Sequence, residues 1–77
     1  MNNYKVKLSW AKIKAEMEAQ GLNVWTLAKA AGVYQSTLRH IEQGWEVCLS
    51  PAWKIARALG VRIEDLQEGE DGKTGLL

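Results

Sequence analysis

A chain of 77 residues that is 47% hydrophobic and 25% charged is long enough for one compact core, too short to divide further, and globular rather than disordered in composition. A single cysteine, Cys48, and a single histidine, His40, exclude an internal disulfide and a His/Cys metal cluster, which points to a reducing, cytoplasmic setting with no cofactor. The net charge of +1 hides an asymmetry, because residues 1–63 carry nine Lys/Arg against four Glu while residues 64–77 carry one Lys against five acids; the basic body can attract phosphate, and the tail cannot.

No apolar stretch follows the start and no segment approaches membrane-spanning length, so the expectation is a protein neither exported nor membrane-embedded. At the N-terminus, Tyr4, Val6 and Leu8 alternate with Lys5 and Lys7, a pattern that fits a short strand or a flexible basic arm. From Ser9 to Gln20, Trp10, Ile13 and Met17 recur at helical spacing, Ser9 can cap the start, and Gly21 follows the last turn. Asn23 caps a second helix whose apolar stripe is Val24, Leu27, Ala28 and Ala31. Gly32 then interrupts the pattern at a position that needs positive φ and marks a tight turn.

The third helix is predicted over about Gln35–Gln43, and at about 100° per residue it separates two faces. Thr37, Leu38 and Ile41 point one way. Gln35, Ser36, Arg39, His40 and Gln43 share an opposing polar arc with no structural task, and Glu42 sits near the boundary beside Leu38. Gly44 ends this helix, and Trp45, Glu46 and Val47 lead to a fourth, capped by Cys48 or by Ser50 before Pro51, with Ile55, Ala56 and Leu59 on its apolar face. Gly60 stops it, Ile63 and Leu66 suggest a short fifth helix, and the Gly- and acid-rich end reads as disordered.

Two short helices joined by a glycine turn, with Ala28 and Ala31 allowing close approach and Val33, Leu38 and Ile41 locking the packing, present the second helix outward. Such a helix fits the major groove of B-DNA, where Gln, Ser, Arg and His side chains read base-edge donors and acceptors. Over about residues 8–66 the chain closely resembles the phage repressor and Cro class of helix-turn-helix domains, also called the xenobiotic-response-element family. The matching features are Gly21-Leu22, Leu27-Ala28, Gly32-Val33, Gln35, Leu38, Ile41-Glu42, Gly44 and the run Lys54 to Val61.

The resemblance implies an all-α, compact five-helix, lambda-repressor-like domain over residues 9–67, preceded by an arm or short strand over 1–8 and followed by the acidic tail over 68–77. It implies a sequence-specific bacterial or phage-type transcriptional regulator, expected as a repressor with activation as the other sign, that binds double-stranded DNA and lies in the cytoplasm with the nucleoid. By position, Gln35, Ser36 and His40 face bases, and Arg39 reaches bases or backbone. Where relatives often carry a phosphate-binding Gln the chain has Val24, so that contact is lost or is taken by Asn23, Trp25 or Thr26, with Gln43 and Trp45 as further backbone contacts. Tyr34 stands where Ser or Thr usually caps the reading helix; its hydroxyl cannot bend back to cap and is placed to reach a phosphate. Glu42 often pairs with an Arg on the first helix, but Met17 occupies that position, leaving Lys14 or backbone donors as its partners. A homodimer on an inverted repeat, with reading helices about 34 Å apart, is also implied, with contacts from Tyr4–Leu8, Trp45 or the fifth helix.

Beside these stand plainer readings. The polar arc is also what a solvated helix face looks like. Trp10, Trp25 and Trp53 read as core or half-buried residues, because aromatic area is the readiest burial for a small domain. Trp45 is open between a lid on the core, a backbone contact and a dimer surface. An alternative function is a protein-interaction adaptor, such as an antitoxin or anti-repressor partner, that binds through its tryptophans. An enzyme is not expected, because one His, one Cys and no Gly-rich phosphate loop leave nothing from which to assemble a site.

Overall fold

A computed structural model describes residues 4–68. Its elements in chain order are β1 (Lys5–Val6), α1 (Trp10–Gln20), α2 (Val24–Ala31), α3 (Gln35–Glu42), β2 (Val47–Cys48), α4 (Leu49–Leu59) and a single 3-10 turn at Ile63–Asp65.

Local chemistry sets the helix ends. Ser9 is the N-cap of α1 and its Oγ accepts the Lys12 N–H at 3.2 Å. At α2 the cap is reciprocal: the Thr26 N–H donates to Asn23 Oδ1 at 2.9 Å and the Asn23 N–H donates to Thr26 Oγ1 at 2.8 Å. Gly32 closes α2 with φ of 76°, and its N–H and that of Val33 both donate to the Ala28 carbonyl, at 2.9 and 3.0 Å. That left-handed turn swings the chain from α2 into α3. Nothing lies within 4 Å of where a Cβ on Gly32 would stand, so a side chain there meets backbone strain and no clash. Gly32→Val is therefore expected to lower stability by about 1–3 kcal/mol, read as a fall in the melting temperature. An unchanged melting temperature would contradict the left-handed turn.

The interior is a single apolar cluster: Ile13 and Met17 from α1, Leu27 and Ala28 from α2, Leu38 and Ile41 from α3, and Ala52, Ile55, Ala56 and Leu59 from α4. Val6, Leu8, Val47 and Leu66 complete it from outside the helices. α2 packs on both α3 and α4, which holds the α2–α3 pair against the rest of the domain. The Gln20 amide donates to the Leu59 carbonyl at 2.8 Å, tying the end of α1 to the end of α4.

The helical pattern holds for four helices, and the all-α, five-helix expectation is corrected in two places. The first is a two-stranded antiparallel sheet in which Val6 faces Val47 and Lys5 faces Cys48. Of the two readings of the N-terminal segment, strand is the one observed for Lys5–Val6, with both valines turned inward. The second is the fifth helix, which is only the 3-10 turn. The Arg62 N–H donates to Asp65 Oδ2 at 3.1 Å, and the chain must then deliver Leu66 into the core while the Leu66 carbonyl accepts the Ser9 N–H at 2.6 Å. Those demands pull it off a helical path. Beside this contact Leu8 bridges Gln67, and the Glu68 N–H donates to the Lys7 carbonyl at 3.0 Å. The rest of the acidic tail expected to be disordered lies outside the described residues.

Among the described residues no helix is long and apolar enough to cross a membrane, and no group of three or more His, Cys, Asp or Glu is placed to hold a metal ion.

Candidate nucleic-acid interface

α3 presents the two faces that its periodicity predicts. Leu38 and Ile41 are 0% and 1% exposed, whereas Ser36, Arg39, His40 and Gln43 are exposed and Gln35 is half-buried at the helix start. Thr37, expected on the apolar side, is half-buried. No hydrogen bond or ion pair within the described residues engages the side chains of Gln35, Ser36, Arg39 or Gln43, so their donors and acceptors face outward unsatisfied except by solvent.

Two clefts flank this helix. One runs between it and the start of α2 and is lined by Asn23, Val24, Trp25, Gln35, Arg39 and Glu42. It joins two expected base-reading residues to two expected backbone contacts, beside the partly positive N-terminus of α2. The other lies at the far end of α3, where His40 and Thr37 meet Lys5, Glu46 and Cys48. Lys5 and Thr37 are residues that the sequence did not single out for this face. Lys5 arrives because β1 pairs with β2, which follows α3 directly; the exposed position in the Tyr4–Leu8 alternation was its only signal.

Aromatic residues surround the exposed helix. Tyr34, the N-cap residue of α3, makes no side-chain cap and is 81% exposed. The backbone N–H of Trp45 donates to the His40 carbonyl at 2.9 Å, its ring lies 6.3 Å from the His40 ring and the residue is 65% exposed, so it stands beside α3 and is not a lid on the core. Trp25 is 62% exposed, with Lys29 Nζ 5.9 Å from its ring centroid. The expectation of a core or half-buried residue holds for Trp10 and fails for Trp25 and for Trp53, which is 52% exposed. In α2 and α4 the inward stripe is already filled by Leu27 and Ala28 and by Ala52, Ile55 and Ala56, leaving both indoles on the outer side.

Some expected contacts are committed elsewhere or absent. Thr26 Oγ1 accepts from the Asn23 N–H and lies 3.2 Å from Asn23 Oδ1, so the hydroxyl serves the cap of α2. Ser36, Tyr34 and Gln43 line neither cleft. Glu42 is exposed and makes neither the ion pair with Lys14 nor the backbone cap expected of it. Met17, on α1, is buried and uncharged, so no cation at that position draws the carboxylate inward.

A glycine turn between two short packed helices, with the second turned outward and polar, defines a helix-turn-helix domain. Comparison with known proteins agrees: the Helix-turn-helix family matches residues 13–66. The chain belongs to that family, in its phage repressor and Cro, or xenobiotic-response-element, branch. It is 39% identical over 57 residues to an HTH-type transcriptional regulatory protein of Archaeoglobus fulgidus, a match that covers 74% of this chain and 18% of that protein. The chain thus corresponds to a small part of that relative's length. No solved structure matches the chain significantly.

Proposed function

We propose that the protein is a sequence-specific DNA-binding transcriptional regulator, acting as a repressor by occupying its operator, and that α3 reads the major groove. The observation that carries this reading is the division of α3 into a buried apolar side and an outward polar side whose hydrogen-bonding groups have no protein partner among the described residues. Gln35, Ser36, Arg39 and His40 are assigned to base edges, where amide, hydroxyl, guanidinium and imidazole groups match the major-groove pattern. Asn23, Trp25, Thr26, Tyr34, Gln43 and Trp45 are assigned to the sugar-phosphate backbone, with Thr26 acting through the α2 terminus that it helps to cap. The relative named as a transcriptional regulatory protein and the basic surplus over residues 1–63 support the same reading. Two copies bind an inverted repeat, and the protein resides with the nucleoid in the cytoplasm.

Selection of bound sequences from a random duplex pool tests this. An inverted repeat is expected to emerge, with an affinity whose logarithm falls with the logarithm of salt concentration at about −0.9 per phosphate contacted. A pool that returns no enriched sequence would sink the proposal. The exposed Trp25, Trp45 and Trp53 would then favour the adaptor reading, with a protein partner in place of DNA.

A further inference from the structure

At about 100° per residue, Gln35, Arg39 and Glu42 fall along one side of α3, and Thr37 and His40 fall about half a turn away. The two clefts that flank the helix therefore open on opposite sides of its exposed face. A helix seated in the major groove lies between two phosphate chains, one on each wall of a groove about 12 Å wide. On the first side of α3, positive charge comes from Arg39 and from the N-terminus of α2. The second side has no such supply of its own. From His40 to Trp53 the chain carries no Lys or Arg, and Glu46, which lines that cleft, repels phosphate.

We propose that Lys5 supplies the missing cation by gripping the phosphate chain on the His40 side of the groove, and that the pairing of β1 with β2 is what holds it there. The proposal rests on the DNA-reading function above and adds the residue that anchors the second wall. Lys5 lies opposite Cys48 in the sheet, and β2 follows the end of α3 by only a few residues. Val6 is buried against Val47, so the alternation of a strand turns Lys5 outward, where it is exposed in the cleft with Thr37, His40 and Glu46. Among the described residues no ion pair engages its ammonium. Its backbone is already ordered, since the neighbouring Tyr4 carbonyl accepts the Leu49 N–H at 3.1 Å. A lysine held in this way loses less freedom on binding than one on a free arm.

Lys7 shares the outward side of the same segment and differs on both counts that matter. It lines neither cleft, and its Nζ lies 3.9 Å from Glu68 Oε1. The two lysines thus provide a contrast within one strand and its continuation.

Lys5→Gln is compared with Lys7→Gln and Lys5→Arg on the selected inverted repeat, on a duplex with one half-site and on an unrelated sequence, after unchanged melting has been checked. On one half-site Lys5→Gln is expected to weaken binding by about 3-fold to 10-fold and to reduce the salt slope by about 0.9. The affinity lost between about 50 and about 200 mM salt then shrinks by about 3-fold to 4-fold. The weakening is expected to be alike on the unrelated sequence, and reselection from the random pool to return the same repeat. Lys5→Arg is expected to keep the parent's slope, and Lys7→Gln to leave it unaltered. Ethylation of single phosphates locates the contact: one modified phosphate beside the base pair relaxed in His40→Ala is expected to block the parent and to cease to matter for Lys5→Gln. A parental slope in Lys5→Gln, an equal change in Lys7→Gln, or a loss confined to one base position would overturn the proposal. A protein that binds every duplex alike fails the sequence-reading function, and the slopes on the unrelated duplex then still decide whether Lys5 grips phosphate. One that binds no duplex overturns both.

Discussion

Leu38→Ala and Ile41→Ala are each expected to lower the free energy of unfolding by about 2–5 kcal/mol, because both side chains are almost wholly buried and truncation adds a cavity to the lost transfer energy. The scale of the domain makes that loss severe. At about 0.05–0.15 kcal/mol per residue, a chain of this size holds only several kcal/mol in total. DNA binding by these variants is therefore expected to fall because folded protein is scarce, and to recover on cooling toward the temperature of maximum stability. Denaturant or thermal melting checks the first part. A loss below about 0.5 kcal/mol in either variant, within the range of ordinary surface substitutions, would mean that α3 does not pack as described.

Substitutions on the other side of α3 are expected to fail in the opposite way, with melting unchanged and binding impaired. Arg39→Ala is expected to weaken binding by about 1–3 kcal/mol, or roughly 5-fold to 150-fold in affinity. Its position in the cleft with Asn23, Trp25, Gln35 and Glu42 allows two targets. If the guanidinium clamps phosphate, the loss will be alike on every sequence and the salt slope will shrink by about 1. If it grips guanine, one base position will become degenerate and the slope will hold. Gln35→Ala and His40→Ala are expected to relax discrimination at particular base pairs by about 1–3 kcal/mol. If all three variants bind every duplex as the parent does, α3 is not the reading element.

The helices were legible because their signals are local. Ser9, Asn23 and Gly32 set helix ends by capping chemistry or positive φ, and the period of Leu38 and Ile41 marks the buried side of α3 within one turn. What escaped the sequence depends on distant partners. Val47-Cys48 is too short to carry an alternating pattern, and it becomes a strand only because Val6, some forty residues earlier, lies beside it. The same pairing places Lys5 near His40, a neighbour that spacing along the chain does not suggest. Ile63 and Leu66 have helical spacing, but the backbone of Leu66 is claimed by Ser9. The exposure of Trp25 and Trp53 was hidden for another reason: hydrophobicity says what an indole favours, and here smaller residues had already filled the core.

The contacts that join Lys7, Leu8 and Ser9 to Leu66, Gln67 and Glu68 bring the beginning and the end of the described chain side by side. A domain closed in this way has its entrance and exit at one place on its surface. It can be spliced into a longer polypeptide as a self-contained bead, since the flanking sequence need not cross the protein to continue. Such a layout suits a module carried within a longer chain, and in the Archaeoglobus fulgidus relative the matching stretch occupies 18% of the length.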